Sequence, residues 1–184
     1  MAGELPILRR ARVADVPVIH DLIERYAGDR ILLAKERVQL YEDVQDFWVA
    51  ELGGAVVGCG AVHPLWEDIA EIRTVAVDPE SRNRGVGAAI MQRLLATVRE
   101  LGIARVFVLT FEVSFFERLG FREIEGTPVT PEVYAELRSS FDEGVAEFLD
   151  LERVKPNTLG NTRMLLTLDE IGRASCRERV YSSV

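Results

Sequence analysis

The sequence predicts an α+β fold in a single domain, residues 1–170, built around one strand–helix–strand crossover. Three observations carry this. Two apolar runs, 47–51 and 56–62, flank Gly53-Gly54 and read as an antiparallel hairpin. The apolar run Ile69–Val77 leads through a short glycine-containing loop into 88–100, where Ile90, Leu94, Leu95 and Val98 fall on one helical face. Another apolar strand, 105–109, follows that helix.

The remaining elements follow in order. Ile7–Arg10 reads as a first strand. Asp15 is placed to cap a helix that has Pro17 in its first turn and Val16, Ile19 and Ile23 on its apolar face. A shorter helix is expected near 35–44, and Trp66-Glu67-Asp68 forms the turn before the Ile69–Val77 strand. After the crossover come a short helix near 114–119 and an extended piece at 121–124. Pro128 and Pro131 break the chain ahead of a helix at 132–140, and 163–168 reads as the closing strand. Residues 171–184 are polar, end in serines and lack an apolar period. They read as a disordered extension or as non-native sequence and are excluded from the functional reading.

Composition narrows the classes. A chain of 184 residues with 48% hydrophobic and 28% charged residues suits a soluble globular protein with a sizeable core. Its net charge of −8 argues against nucleic acid or an anionic membrane as a partner, since both require a basic surface. There is no membrane-length apolar run and no signal peptide. Only Cys59 and Cys176 occur, and Cys59 lies in an apolar strand, so a disulfide framework is not expected and the cytoplasm is the natural compartment.

Chemistry concentrates at the loop Arg82-Asn83-Arg84-Gly85-Val86-Gly87-Ala88, between strand and helix. Glycine lets a backbone approach a ligand closely, and the first amides of a helix can point at an anion. With Arg82 and Arg84 adding positive charge, the loop reads as a pyrophosphate site; the alternative is a turn with no ligand. It lacks the Gly-Lys-Ser/Thr ending of a Walker loop and the third glycine of a dinucleotide fingerprint.

Arg82-x-x-Gly85-x-Gly87, preceded by Val75-Ala76-Val77-Asp78-Pro79, resembles the acyl-CoA loop of the GNAT acetyltransferase superfamily. Phe115-Phe116-Glu117-Arg118-Leu119-Gly120-Phe121 is similar to that superfamily's second motif, usually written Tyr-x-x-x-Gly-Phe. The resemblance implies a mixed, mostly antiparallel central sheet flanked by helices. It also implies acetyl-CoA as co-substrate, bound by Val75, Ala76, Val77, residues 82–88 and Phe116. Phe116 stands where many members carry a tyrosine as general acid. Phenylalanine has no proton to give, so Thr162, water, or no group at all must serve the leaving thiolate.

Further segments resemble the amino-acid N-acetyltransferases that make N-acetylglutamate at the entry to arginine biosynthesis, in their short single-domain form. They include Ile31-Leu32-Leu33-Ala34-Lys35, 41–51, 70–77, 107–111 and Lys155-Pro156-Asn157-Thr158-Leu159-Gly160-Asn161-Thr162-Arg163. The resemblance covers roughly 7–168 and implies acetyl transfer to the α-amine of glutamate or glutamine. It places a basic substrate-binding residue at Lys35, although the register also admits Ala34. It places a hydroxyl near the thioester sulfur at Thr162 and a substrate contact at Leu109. An arginine that some members carry falls on Gly160 here, leaving Arg163, Asn161 or Lys155 for carboxylate binding.

Acetyl transfer needs a base for the amine, stabilisation of the developing oxyanion and a proton for the thiolate. Glu71, on a mostly apolar strand, is the candidate base, acting directly or through water; the alternative is a structural ion pair with Arg73. Two-residue alternation would put Glu71, Arg73, Val75 and Val77 on one face. Arg73 and Lys35 are the candidate carboxylate ligands; Lys35 has the alternative of a solvated lysine. His63 ranks below Glu71 as a base, His20 reads as a packing residue, and Cys59 as a small buried hydrophobe. No ligand spacing for a metal is present. The competing functions are a GNAT enzyme acting on a protein N-terminus, a lysine or a drug, and a non-catalytic acyl-CoA-binding module. A homo-oligomer stays open.

Overall fold

The computed structural model describes residues 5–27, 32, 35–154 and 160–168. Among these, seven strands form one sheet: β1 Ile7–Arg10, β2 Phe47–Leu52, β3 Ala55–Trp66, β4 Ile69–Val77, β5 Arg105–Thr110, β6 Arg122–Glu123 and β7 Thr162–Thr167. Their hydrogen-bonding order is β1-β2-β3-β4-β5-β7-β6. The β1–β2, β2–β3, β5–β7 and β6–β7 pairs are antiparallel, while β4 and β5 are parallel through Ile69, Ala70 and Glu71. That parallel pair brackets the crossover helix, so the sheet is mixed and mostly antiparallel, as expected.

The helices are α1 Val16–Ala27, α2 Arg37–Glu42, α3 Val86–Glu100, α4 Val113–Glu117, α5 Pro131–Leu137 and α6 Glu143–Phe148. Helix α5 starts earlier than its apolar pattern suggests, because Pro131 sits at its first position and Thr130 Oγ1 accepts from Val133 N–H at 3.4 Å. Helix α6 was not anticipated. It is a single short piece capped by Asp142, whose Oδ1 accepts from Val145 N–H at 2.8 Å, and six residues are too few to display a helical period. The tail 171–184, together with Ala34, Lys155 and Cys176, lies outside the described residues.

The chain packs as two compact units. The first contains the described residues up to His63 and again Ile72–Thr97. One face of α1, formed by Val16, Ile19, Leu22 and Ile23, packs with Phe47 and Val49 of β2, Cys59 and Ala61 of β3, and Leu40 of α2. Full burial of such side chains contributes roughly 1.5–3 kcal/mol each. Helix α3 also belongs largely to this unit and lies directly over β3. A Cβ on Gly58 would come 2.9 Å from Ile90 Cδ1, and one on Gly60 would come 2.8 Å from Leu94 Cδ1. At Gly58 the added carbon would also stand 3.1 Å from the Ala76 carbonyl oxygen, so glycine lets the helix sit closest here.

The second unit contains Pro64–Glu71 and the described residues from Val98 onward. Its core gathers Leu65, Ile69, Phe107, Leu137, Val145, Phe148 and Leu149. The rings of Phe107 and Phe148 meet edge-on with centroids 4.9 Å apart.

Asp15 does not act as the cap expected of it. It ends a 3₁₀ turn, Val13–Asp15, and its carboxylate turns back toward β1. There it accepts from Arg9 Nη1 at 2.6 Å and Nη2 at 2.9 Å, and from Arg12 N–H at 2.7 Å. Arg9 Nε donates in turn to Glu51 Oε1 at 2.8 Å. The hydrogen bond from Arg9 is the main cause holding the Asp15 carboxyl below the usual carboxylate range, against the opposing pull of burial. A depressed folded-state pKa stabilises the fold above the unfolded value and ceases to do so as pH falls through the folded one. Asp15→Asn is therefore expected to cost roughly 1.5–3 kcal/mol at neutral pH. Urea unfolding from neutral to acid should show its deficit against wild type narrowing below about pH 4. A deficit constant down to acid would remove Asp15 as the source.

Candidate active site

The loop between β4 and α3 belongs to the first unit. Asp78 caps the turn Pro79–Ser81, its Oδ1 accepting from Glu80 N–H at 2.9 Å, while Asp78 N–H donates to Val57 O at 2.8 Å. The chain then passes through two left-handed residues, Asn83 at φ 60° and Gly85 at φ 78°. The bond from Ala89 N–H to Gly85 O, at 3.0 Å, starts the helix, so the amides before it have no carbonyl one turn back. No acidic residue occupies this first turn. Those amides and the helix dipole therefore favour an anion.

Gly87 differs in kind from Gly85. Its backbone lies outside the left-handed region, and a Cβ there would meet only Val77 Cγ2 at an ordinary 3.8 Å. Neither conformation nor internal packing calls for glycine at 87. The bare backbone fits close approach by an outside group, as an acyl-CoA pyrophosphate requires. Asn83, Arg84 and Ala88 are exposed, Val86 is buried under the helix, and Ala76 is buried between the half-buried Val75 and Val77.

Lys35 and Arg73 also belong to the first unit, and the structure brings them to a common partner. Asp43 Oδ2 lies 3.6 Å from Lys35 Nζ and 3.7 Å from Arg73 Nη2. Both cationic side chains are only 8% exposed, against 26% for the carboxylate. These separations are ion pairs without hydrogen-bond contact. The trio carries a net single positive charge. Asp43 was not singled out from the sequence, because nothing in its spacing distinguishes it from the acidic residues around it.

In the second unit Glu71 is 2% exposed and pairs in register with Phe107 of β5. Leu109 stands opposite Arg163, and Thr110 opposite Thr162, across the β5–β7 ladder. Arg163 is anchored by backbone: Nε donates to Gly126 O at 2.9 Å, Nη1 to Glu147 O at 3.1 Å, and Nη2 to Phe148 O. Its guanidinium carbon lies 4.9 Å from the centre of the Phe107 ring. Burial lowers its pKa, while the negative charges of Asp150, Glu71 and Glu147 oppose that shift. Three of its donors thus tie β7 to the 126 and 147–148 carbonyls, which gives Arg163 a structural task that the sequence did not suggest. Phe116 is 7% exposed, with its ring edge-on to both Phe115 and Phe121 at 5.3 Å.

The other candidates occupy ordinary positions. His63 Nδ1 lies 3.0 Å from Asp46 Oδ2, and His20 is half-buried on α1. Cys59 is fully buried and desolvation pushes its thiol up to about 12, so it is not a thiolate nucleophile at neutral pH. Among the described residues no group of three His, Cys, Asp or Glu side chains is placed to hold a metal ion. Nor is any described helix long and apolar enough to cross a membrane.

Residues 17–121 match the Acetyltransferase (GNAT) family. A protein of Mycobacterium tuberculosis named amino-acid acetyltransferase is 63% identical over 166 residues, spanning 89% of this chain and 95% of its own length. The crystal structure of Rv2747 from Mycobacterium tuberculosis, solved in complex with CoA, superposes with a TM-score of 0.87 at 62% identity, covering 89% of this chain and 100% of that one. N-acetylglutamate synthase from Neisseria gonorrhoeae shares the fold at a TM-score of 0.72 and 22% identity, over 91% of this chain and 36% of that one. Sequence, sheet topology and loop agree, and the chain belongs to the GNAT acetyltransferase family.

Proposed function

We propose that this enzyme transfers the acetyl group of acetyl-CoA to the α-amine of glutamate or glutamine, as the entry step of arginine biosynthesis in the cytoplasm. The observation that carries the reading is the 63% identity, over nearly the whole chain, to a protein named amino-acid acetyltransferase. The loop supports it: left-handed residues at Asn83 and Gly85, amides ahead of Ala89, and a glycine at 87 that the fold itself does not need.

In this reading residues 82–88 hold the pyrophosphate, and Val75, Ala76, Val77 and Phe116 contact the rest of acetyl-CoA. Glu71 takes a proton from the substrate ammonium, directly or through water. The amine nitrogen attacks the thioester carbonyl carbon, the C–S bond breaks, and the nitrogen sheds its second proton to the departing thiolate, relayed by the Thr162 hydroxyl or by water, so that the hydroxyl regains the proton it passes on. Phe116 has no proton to supply. Lys35 and Arg73 hold substrate carboxylate, with Leu109 along the acceptor's aliphatic part. Arg163 serves mainly by fixing β7, which carries Thr162.

Gly87→Asp is expected to abolish CoA binding measured by titration calorimetry while leaving the melting temperature near wild type, because the added Cβ meets only Val77 Cγ2, at an ordinary 3.8 Å. Wild-type affinity in that variant would remove the loop from the site.

Glu71→Gln is expected to lower kcat by about 10²–10⁴-fold with little change in CoA affinity. Its pH–rate profile should lose the acidic limb. An unaltered limb would pass the role to His63 or to water alone.

Lys35→Ala and Arg73→Ala should each raise the acceptor KM, by roughly 1.5–3 kcal/mol of binding, with kcat little affected. Asp43→Asn raises the charge of the trio, so it should favour glutamate over glutamine relative to wild type. Steady-state kinetics with both acceptors checks this. If neither acceptor were acetylated while a basic amine was, the acceptor assignment would fall and the family assignment would stand.

A further inference from the structure

The end of helix α1 grips the acetyl-CoA loop. Tyr26, 9% exposed, is the next-to-last residue of α1. Its hydroxyl donates a short hydrogen bond to the carbonyl of Val77, where β4 ends. The same oxygen accepts from Arg82 Nη2 at 3.0 Å, and the guanidinium carbon of Arg82 stands 5.3 Å from the centre of the Tyr26 ring. One residue earlier, Arg25 Nη1 pairs with Asp78 Oδ2 at 2.7 Å, the carboxylate whose other oxygen caps the following turn. Helix α1 thus holds the last residue of the strand, the cap of the turn and the first residue of the loop.

This divides the labour between the two loop arginines. Arg82 is fastened to Tyr26 by a hydrogen bond and by stacking. Both arginines are exposed, but it is the Arg82 guanidinium that Tyr26 holds, while Arg84 lies beyond the left-handed Asn83. A guanidinium held by the fold fixes where its backbone runs, whereas one beyond that anchor supplies charge to a ligand.

We propose that Tyr26 is a positioning residue for acetyl-CoA. Acting through Arg82, it holds the start of the 82–88 loop so that the amides ahead of Ala89 converge on the pyrophosphate, while Arg84 supplies the loop's available charge. The proposal rests on the acetyl-CoA reading of the loop. A loop with two left-handed residues has many alternative conformations, and fixing its start removes part of them before the ligand arrives.

The test compares wild type, Tyr26→Phe, Arg82→Ala and the double variant, with CoA binding read by calorimetry and turnover by steady-state kinetics. Phenylalanine keeps the ring and loses both hydrogen bonds. Tyr26→Phe should weaken CoA binding and raise the acetyl-CoA KM by about tenfold, the scale of a hydrogen bond to a charged group. Saturated kcat and the acceptor KM should stay within about twofold of wild type. Arg82→Ala should show a similar loss, and adding Tyr26→Phe to it should change CoA affinity less than about twofold, because the two act as one unit. The proposal is overturned if Tyr26→Phe binds CoA like wild type, if the two losses multiply in full, or if the change lies in kcat alone. Should Tyr26→Phe fail to fold, Arg82→Ala decides by its salt dependence: a loss of CoA affinity that persists at high salt supports a positioning role, and a loss that salt removes, or wild-type affinity, overturns it. Wild-type protein that binds no CoA would instead remove the acetyl-CoA reading itself.

Discussion

Helix α3 lays the side chains of Ile90 and Leu94 directly on the glycine backbone of β3, and the loop that opens the helix depends on that contact. Gly58 and Gly60 leave so little room that a single added carbon would fall within 3.0 Å of Ile90 or Leu94. A close-packed interface of this kind cannot slide, because interiors have few voids to absorb a shift. The first turn of the helix is therefore fixed relative to the strand beneath it. Everything the loop can offer an anion follows: amides ahead of Ala89, a left-handed entry at Asn83 and Gly85, and a bare backbone at Gly87. The glycines of β3 and those of the loop have different reasons. The first pair serves packing, Gly85 serves conformation, and Gly87 serves neither.

Charge follows a second constraint. The chain carries a net −8, so anionic ligands are repelled at long range and must be captured locally. Screening over about 8 Å at physiological salt confines the repulsion, and a few well-placed cations suffice. Burying those cations is costly unless each has a partner. Asp43 between Lys35 and Arg73 answers that requirement, as do the backbone carbonyls and acidic neighbours of Arg163. The same carboxylate that makes Lys35 and Arg73 tolerable in the interior also limits how much negative charge they can attract.

The parts legible in the sequence were those whose causes are local. The strand, loop and crossover helix announce themselves within one stretch of chain, through an apolar run, two glycines and a 3.6-residue period. The hairpin around Gly53-Gly54 is legible for the same reason, both glycines adopting left-handed angles, φ 56° and 80°. What stayed hidden depends on distant partners. Tyr26 meets Val77 and Arg82 across 51 and 56 positions, and Arg9 meets Glu51 across 42. Asp15 looked like a cap because its local spacing is that of a cap; the Arg9 guanidinium that claims it, six positions back on β1, is brought there only by the turn between them. Arg163 looked like a free ligand for carboxylate because its carbonyl partners, at 126, 147 and 148, are set by the fold alone.

One irregularity in β4 changes how its side chains are to be counted. Simple alternation would carry Glu71, Arg73, Val75 and Val77 along one continuous face, but Thr74 has φ 61°. A β-branched residue in the left-handed region is a genuine outlier and costs about 1–3 kcal/mol. The two-residue period cannot pass through it unbroken, so the residues before and after Thr74 are not held in place by one pleat. Something else must secure them, and the surrounding core does so. Thr74 is itself buried, and its carbonyl accepts from the Cys59 thiol at 3.7 Å. That bond needs the thiol protonated, which its environment guarantees: burial raises the Cys59 pKa to about 12, far from any physiological pH. A cysteine that in another setting would suggest a nucleophile is here a neutral donor. It helps fix a strained peptide between the proposed acceptor arginine and the strand that leads to the binding loop.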